Sequence, residues 1–223
     1  MKGRPITGEE FDRMILTVPK TRPSDPEQWE RLLTALWLSG LRLAEALTLS
    51  WDPDAPLCVC LAGRRPALRI RAEAQKSNRD EILPITPDFA EFLLTTPEAG
   101  RSAPVLAPRG LLSGKPIVPE RVGAMISKIG KKAGVVVNRE STPRGETVKY
   151  ASAHDLRRAF GTRWASRVKP AILQRLMRHA DIQTTLNVYG HVIERVEFEQ
   201  ESRTCLISGL GQNSCGKSVA SSL

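Results

Sequence analysis

Apolar residues recur at intervals of three and four in the first fifty positions, a spacing typical of helices with one buried face. Thr7 and Glu10 have the spacing of a capping box, which predicts a helix that begins just before Phe11. A second helix is predicted to begin after Ser24 and to end at Gly40, and a further helix covers Leu43 to Leu49. The apolar set of the second helix is Trp29, Leu32, Leu33, Leu36 and Trp37.

The pattern changes after Trp51, where three short and partly alternating segments are separated by polar clusters. They are Leu57 to Leu61, Ala67 to Ala72 and Glu81 to Ile85. Such segments are typical of strands, and the sequence predicts a small antiparallel sheet.

Helical spacing then returns and dominates the rest of the chain. The predicted helices are Pro87 to Thr95, Pro119 to Lys132, Ala153 to Arg167, Pro170 to Arg178, Ile182 to Tyr189 and His191 to about Arg203. Residues 138–150 are polar and lack a period, so they are interpreted as a loop, and the Gly- and Ser-rich residues 206–223 are interpreted as a flexible tail. The fold class expected is mainly α with one three-stranded antiparallel sheet (α+β).

The net charge and the hydrophobic content of the chain restrict the classes of partner it can have. The chain has 223 residues, 41% of them hydrophobic, and a formal charge of +9, which favours a polyanionic partner such as nucleic acid. No apolar run approaches the roughly 20 residues that span a bilayer, and the N-terminus has no apolar segment of the signal-peptide kind. The expectation is a cytoplasmic protein with no membrane partner.

The sequence predicts neither a metal site nor a nucleotide site. The cysteines (Cys58, Cys60, Cys205 and Cys215) lack the paired spacing of a zinc site, so reduced thiols and no metal are expected. Gly211, Gly216, Lys217 and Ser218 fit a phosphate-loop pattern, but only five residues follow, too few for the helix whose amides hold the phosphates. No nucleotide and no other cofactor is therefore expected.

Most of the excess positive charge lies in residues 151–180, which hold seven basic residues and one acid. A solvated basic helix face is the simplest interpretation. Against it, His154 and Arg157 are three residues apart and therefore share one helix face. His179 ends the next apolar helix, and Tyr189, one of only two tyrosines, follows ten residues later.

Four segments together resemble the tyrosine recombinase (phage integrase) family. Residues 153–160 (AHDLRRAF) resemble its H-x-L-R box, and residues 176–189 (LMRHADIQTTLNVY) resemble its C-terminal box. Residues 38–47 (LSGLRLAEAL) resemble the first arginine box, and residues 75–85 (QKSNRDEILPI) the hairpin that carries the catalytic lysine. Each box alone is a weak signal, whereas four in the family's order over residues 6 to 200 are highly specific.

The resemblance implies a site-specific recombinase or integrase that needs neither metal nor ATP and that cleaves and rejoins DNA through a 3′-phosphotyrosyl intermediate. The catalytic residues it implies are Arg42, Lys76, His154, Arg157, His179 and the nucleophile Tyr189. Guanidinium groups suit the charge that develops on phosphoryl oxygens, and a phenol can form a covalent ester. Because an unperturbed phenol has a pKa of about 10, the surrounding cations are expected to favour the phenolate.

Neighbouring residues receive less specific interpretations. Arg158 is interpreted as a phosphate contact or a surface residue, and Glu45 as a partner of a nearby cation, either buried or behind the reacting groups, and not as an acid–base catalyst. Tyr150 is interpreted as structural, and His191 is given no role.

The resemblance also implies a domain organisation. Residues 1–205 would form the catalytic domain, with 1–5 as a short arm and the family's N-terminal core-binding domain absent. The helix over 191–203 would dock on a neighbouring protomer in a tetrameric synapse on double-stranded DNA, in the bacterial nucleoid. Two alternatives stay open: a DNA-binding module that cuts nothing, and a DNA-relaxing enzyme like the type IB topoisomerases.

Overall fold

The computed structural model describes residues 3–22, 24–62, 65–74, 79–102, 104–108, 117–143 and 145–210. Within these ranges, eight α-helices and five β-strands confirm the expected class, mainly α with small antiparallel sheets. The helices are α1 (Gly8–Thr21), α2 (Pro26–Ser39), α3 (Leu43–Thr48), α4 (Pro87–Leu94), α5 (Pro119–Lys132), α6 (Ala153–Ala165), α7 (Pro170–Met177) and α8 (Ile182–Leu210). The strands are β1 (Leu57–Cys60), β2 (Ala67–Ile70), β3 (Glu81–Pro84), β4 (Val136–Thr142) and β5 (Gly145–Tyr150).

The predicted start of α1 is confirmed by its hydrogen bonds. The Glu10 amide donates to the Thr7 hydroxyl at 3.2 Å, and the Thr7 amide donates to the Glu10 carboxylate at 2.9 Å. The end of α2 is confirmed at Gly40, whose φ of +63° lies in the left-handed region. A side chain there would also meet Phe160, since an added Cβ would lie 2.2 Å from its ring.

The predicted three-stranded sheet is confirmed, with strand ends one or two residues shorter than expected. Its order is β1-β2-β3 and both pairings are antiparallel. Leu68 at the centre pairs with Val59 on one side and Leu83 on the other, and all three side chains are buried.

The loop expected over residues 138–150 is wrong, because β4 and β5 form an antiparallel hairpin there. Residues 139–141 and 145–147 are exposed. A strand with neither face buried has no reason to alternate apolar and polar residues, which is the signal that strand prediction uses.

The C-terminal helices also differ from expectation. The two segments predicted over 182–189 and 191–203 belong to one continuous helix, α8, which ends at Leu210 inside the expected tail. Residues 211–223, with their phosphate-loop pattern, lie outside the described residues.

The hydrophobic core is centred on α2, where Trp29, Leu32 and Leu33 are fully buried. A second cluster joins α6, α7 and α8 through Phe160, Leu173, Met177, Tyr189 and Ile193. In the part of the chain that the structure describes, no helix is long and apolar enough to cross a membrane.

Candidate active site

Helix α6 is fixed at its first turn by a buried carboxylate. Asp155 is fully buried, and it accepts hydrogen bonds from the Ser152 amide at 3.1 Å and the Ser152 hydroxyl at 2.6 Å. The same carboxylate pairs with Arg158 at 3.1 Å. These contacts set the start of the helix that carries His154 and Arg157.

Arg158 is not a surface residue, which corrects one of the two expectations, whereas a phosphate contact through its other nitrogens stays a prediction. Besides its pair with Asp155, it donates to the Gly3 carbonyl at 2.7 Å, and only 18% of its side chain is exposed. The N-terminal segment therefore lies against the first turn of α6. An added Cβ on Gly3 would lie 2.1 Å from the Asp155 carboxylate, so this close approach requires glycine.

Arg157 joins the ends of two other helices. It is buried, and its two terminal nitrogens donate to the Gly40 carbonyl after α2 and the Met177 carbonyl at the end of α7. Burial, with Arg42 nearby, lowers the pKa of Arg157 to about 10, so the guanidinium stays charged at neutral pH. Two of the five N–H donors of a guanidinium are used by these carbonyls.

Arg42 is held beside Arg157 by a carboxylate. The Glu45 carboxylate accepts from the Arg42 side chain and from the Arg178 side chain, each at 2.9 Å. Arg42 also donates to the Arg178 carbonyl at 3.3 Å. The interpretation of Glu45 as the partner of a nearby cation is confirmed, and it bridges two arginines from distant segments.

His179 and Tyr189 lie with their rings nearly parallel, 6.4 Å between centroids. The His179 Nδ1 is 2.9 Å from the hydroxyl of Thr185, which is fully buried on α8. Burial, with Arg157 and Arg42 adding to it, lowers the pKa of His179 below its ordinary value. A neutral imidazole held at Nδ1 keeps Nε2 for another partner.

Tyr189 is packed in the second cluster, with 2% of the residue exposed. Its phenol lies over Gly161 of α6, where an added Cβ would be 2.2 Å from the hydroxyl oxygen. Burial raises the pKa of Tyr189 and outweighs the opposite effect of Arg157 and Arg158. The expectation that the cations favour the phenolate is therefore wrong for this conformation, in which the phenol keeps its proton.

His154 lies about one helical turn before Arg157 and is an exposed residue whose ring is partly covered. Burial lowers the pKa of His154, and the charge of Arg158 lowers it further. The structure thus places Arg42, Arg157, His179 and Tyr189 together, with His154 about one helical turn before Arg157. Lys76 lies outside the described residues.

The sequence matches the model of the phage integrase family over residues 5–195. The chain belongs to the phage integrase family. The comparison with curated proteins found no match.

Solved structures share the fold of this integrase-family chain. A XerA recombinase aligns with a TM-score of 0.53 at 18% identity, over 92% of this chain and 66% of that one. The Tn1549 transposon integrase in complex with transposon right end DNA aligns with a TM-score of 0.56 at 18% identity, over 91% and 67%. A post-cleavage complex of the XerH site-specific recombinase aligns with a TM-score of 0.58 at 20% identity, over 90% and 53%. The chain therefore spans between about half and two thirds of these structures.

Several contacts of this integrase-family site were missed by sequence reasoning. Thr185 could have been found, because it lies four residues before Tyr189 and so shares its helix face. Gly161 lies four residues after Arg157, again on one face, but nothing in the sequence marks it as the position under the phenol. The Gly40 and Met177 carbonyls that hold Arg157 are backbone atoms and have no sequence signal.

Proposed function

We propose that this chain is the catalytic domain of a site-specific DNA recombinase or integrase. The observation that carries the proposal is the convergence of Arg42, Arg157, His179 and Tyr189 from four segments of an integrase-family chain. Two arginines beside one phenol provide charge stabilisation and a nucleophile for a phosphodiester.

The proposed reaction needs neither a metal nor ATP, because one phosphoester bond forms as another breaks. The Tyr189 oxygen forms a bond to phosphorus as the bond from phosphorus to the 5′ oxygen breaks. Arg42 and Arg157 stabilise the charge on the phosphoryl oxygens, and His179 donates a hydrogen bond to one of them. The phenol proton passes to His154 as general base, and Lys76 protonates the departing 5′ oxygen. The reverse step, with another strand's 5′-hydroxyl, rejoins the DNA.

The burial of Tyr189 adds a step to this sequence. Its phenol is protonated and packed against Gly161, so the hydroxyl must leave that contact before the new ester bond forms. The proposal therefore includes a displacement of Tyr189 when the scissile phosphate binds between the arginines.

Double-stranded DNA is the proposed partner. The formal charge of +9 supports a polyanionic ligand, and the structural neighbours include complexes of a transposon integrase and of a recombinase with DNA. A tetrameric synapse joined through the C-terminal part of α8, and a location in the bacterial nucleoid, belong to the same proposal. The length of α8, 29 residues, supports a role beyond carrying Tyr189.

The test is a covalent trap. The protein is incubated in EDTA with a pool of nicked duplexes whose 40 central base pairs are randomised, and denaturing gels are read for a protein–DNA adduct. The chain has two tyrosines, so Tyr150→Phe is a matched control for Tyr189→Phe. An adduct is expected with the parent and with Tyr150→Phe, and none with Tyr189→Phe.

The other outcomes separate the alternatives. An adduct that persists in Tyr189→Phe removes Tyr189 as the nucleophile. DNA binding with no adduct from any variant supports the binding module. An adduct that forms at unrelated sequences, with relaxation of supercoiled plasmid and no joining of two duplexes, supports the topoisomerase-like alternative.

A further inference from the structure

The hairpin of β4 and β5 carries a polar ribbon, defined here as residues 138–149, outside the hydrophobic core. Val135 and Val137 at its base are buried, whereas residues 139–141 and 145–147 are exposed. At about 3.3 Å per residue, the five residues from Asn138 to Thr142 extend roughly 16 Å. The ribbon is therefore an exposed arm with a fixed base.

Both faces of the ribbon are polar. The register places Arg139, Ser141, Glu146 and Val148 on one face, and Asn138, Glu140, Thr147 and Lys149 on the other. Arg139 and Glu146 form an ion pair across the strands at 3.2 Å. The side-chain amide of Asn138 donates to the Glu140 carboxylate at 3.3 Å. An isolated two-stranded hairpin is only marginally stable in water. Because this one has no apolar face to bury, it contributes little to the stability of the fold.

The base of the ribbon lies at the rim of the candidate site. Tyr150 ends β5, and His154 follows four residues later in the first turn of α6. Ala151, which joins the ribbon to α6, donates its amide to the Val135 carbonyl at 2.9 Å, so the base of the ribbon is fixed next to the helix that carries His154. An arm that starts here is within reach of DNA whose scissile phosphate lies at Arg157.

We propose that the ribbon enters the major groove of DNA beside the cleavage site and contacts base edges and phosphates there. This inference rests on the proposed function, because it takes the position of the DNA from the candidate site. The major groove is about 12 Å wide and admits a two-stranded ribbon. Arg139 carries a guanidinium that suits a phosphate oxygen, and Asn138 carries the side-chain amide that pairs with an adenine edge.

The chemistry of the ribbon favours DNA over a protein partner. The cores of protein–protein interfaces are depleted of charged residues and enriched in aromatic ones. Residues 138–149 contain no aromatic residue, and their only large apolar side chain is Val148. Their charged residues, three basic and two acidic, suit polar contacts in a groove.

The experiment measures binding alone, so that its result is independent of strand cleavage. Tyr189→Phe chains are used to select duplexes from a pool with 40 randomised base pairs, and the selected duplex is footprinted with hydroxyl radicals. In the test variant, an asparagine–glycine turn replaces residues 139–148. This keeps the cross-strand pair of Asn138 and Lys149 and closes it with a two-residue hairpin turn.

The shortened ribbon is expected to lose protection on one side of the site, over about half a helical turn, and to bind roughly tenfold more weakly. A second variant, Arg139→Gln, leaves the backbone intact and is expected to lower the salt slope of binding by about one. Arg13→Gln is its matched control, since Arg13 is also an exposed arginine paired with a glutamate, here Glu9 at 2.7 Å. The control is expected to leave the slope unchanged.

An unchanged footprint with the shortened ribbon overturns the proposal, and so does an equal slope for Arg139→Gln and Arg13→Gln. Loss of cooperative binding with an intact single-protomer footprint also overturns it, because that result assigns the ribbon to a second copy of the chain. If circular dichroism shows that the shortened variant is unfolded, Arg139→Gln decides alone. A lost footprint in a protein that forms no adduct leaves the ribbon proposal standing and removes only the proposed catalysis.

Discussion

The hydroxyl oxygen of Tyr189 occupies the space that a side chain on Gly161 would need, since an added Cβ would lie 2.2 Å from it. The two residues come from different helices, α8 and α6, and α6 also carries His154 and Arg157. The absence of a side chain at position 161 therefore lets the proposed nucleophile pack against the helix that carries two proposed catalytic groups.

Gly161→Ala is expected to destabilise the fold. The added methyl overlaps the phenol, and overpacking of this kind costs about 1–3 kcal/mol, which exceeds the gain of about 1 kcal/mol from replacing a helical glycine. Gly190→Ala is the matched control on α8, because its Cβ would come no closer than 4.0 Å to another atom, Glu194 Oε1. Urea denaturation should show a lower free energy of unfolding for the first variant and a higher one for the second. Equal stabilisation of both would contradict the packing of Tyr189 on Gly161.

Tyr189 is expected to ionise only above the ordinary phenol range. Burial raises its pKa, so the neutral phenol stabilises the fold below pH 10 and that stabilisation is lost as the pH rises through the higher folded value. In Tyr150→Phe the remaining tyrosine can be followed alone by its absorbance near 295 nm. A midpoint below 10 in the free protein would show that the cations outweigh burial.

Arg157→Lys and Arg42→Lys should separate stability from activity. A lysine cannot span the Gly40 and Met177 carbonyls, so Arg157→Lys should lower the free energy of unfolding by about 2–4 kcal/mol. The Arg42 side chain is 50% exposed and pairs at the surface with Glu45, so its replacement should change stability by less than about 1 kcal/mol. Both variants should lose adduct formation in the nicked-duplex assay. A fully stable Arg157→Lys would contradict the anchoring of this guanidinium.

Acid should weaken the fold through the two site histidines. Burial lowers the pKa of both His154 and His179, so the neutral rings stabilise the fold above about pH 6.5. That stabilisation is lost as the pH falls through the lower folded values, because the unfolded chain binds the protons more readily. Urea denaturation at pH 7.5 and 5.5 should show the loss, and His179→Gln should reduce it. The same loss in that variant would assign the effect to other groups.

The elements that sequence predicted well have one buried face. Helix α5 was predicted at its observed bounds, because its apolar positions recur at helical spacing and a proline lies in its first turn. Strands β1 to β3 were predicted from their short, partly alternating apolar segments between polar clusters, although β1 and β2 are buried on both faces. The hairpin of β4 and β5 was missed because its exposed residues leave no such pattern.

The sequence names candidate residues for the site but not the environment of their side chains. Four segments were recognised from their motifs, whereas the pKa of Tyr189 was expected to move in the wrong direction. Counting the cations near a phenol is possible from sequence, but knowing that 2% of the residue is exposed requires the packing of α6 against α8. Arg158 shows the same limit, since its partner Gly3 lies 155 positions away in the chain.

Helix α8 carries Tyr189 near its start and continues to Leu210. At about 1.5 Å per residue, the 21 residues from Gly190 to Leu210 extend roughly 32 Å. Because a helix of this length moves as one unit, a partner that binds its C-terminal end and shifts it would also shift the phenol of Tyr189. A rotation of α8 that moves the hydroxyl off Gly161 therefore also moves Ile193, which packs in the same buried cluster.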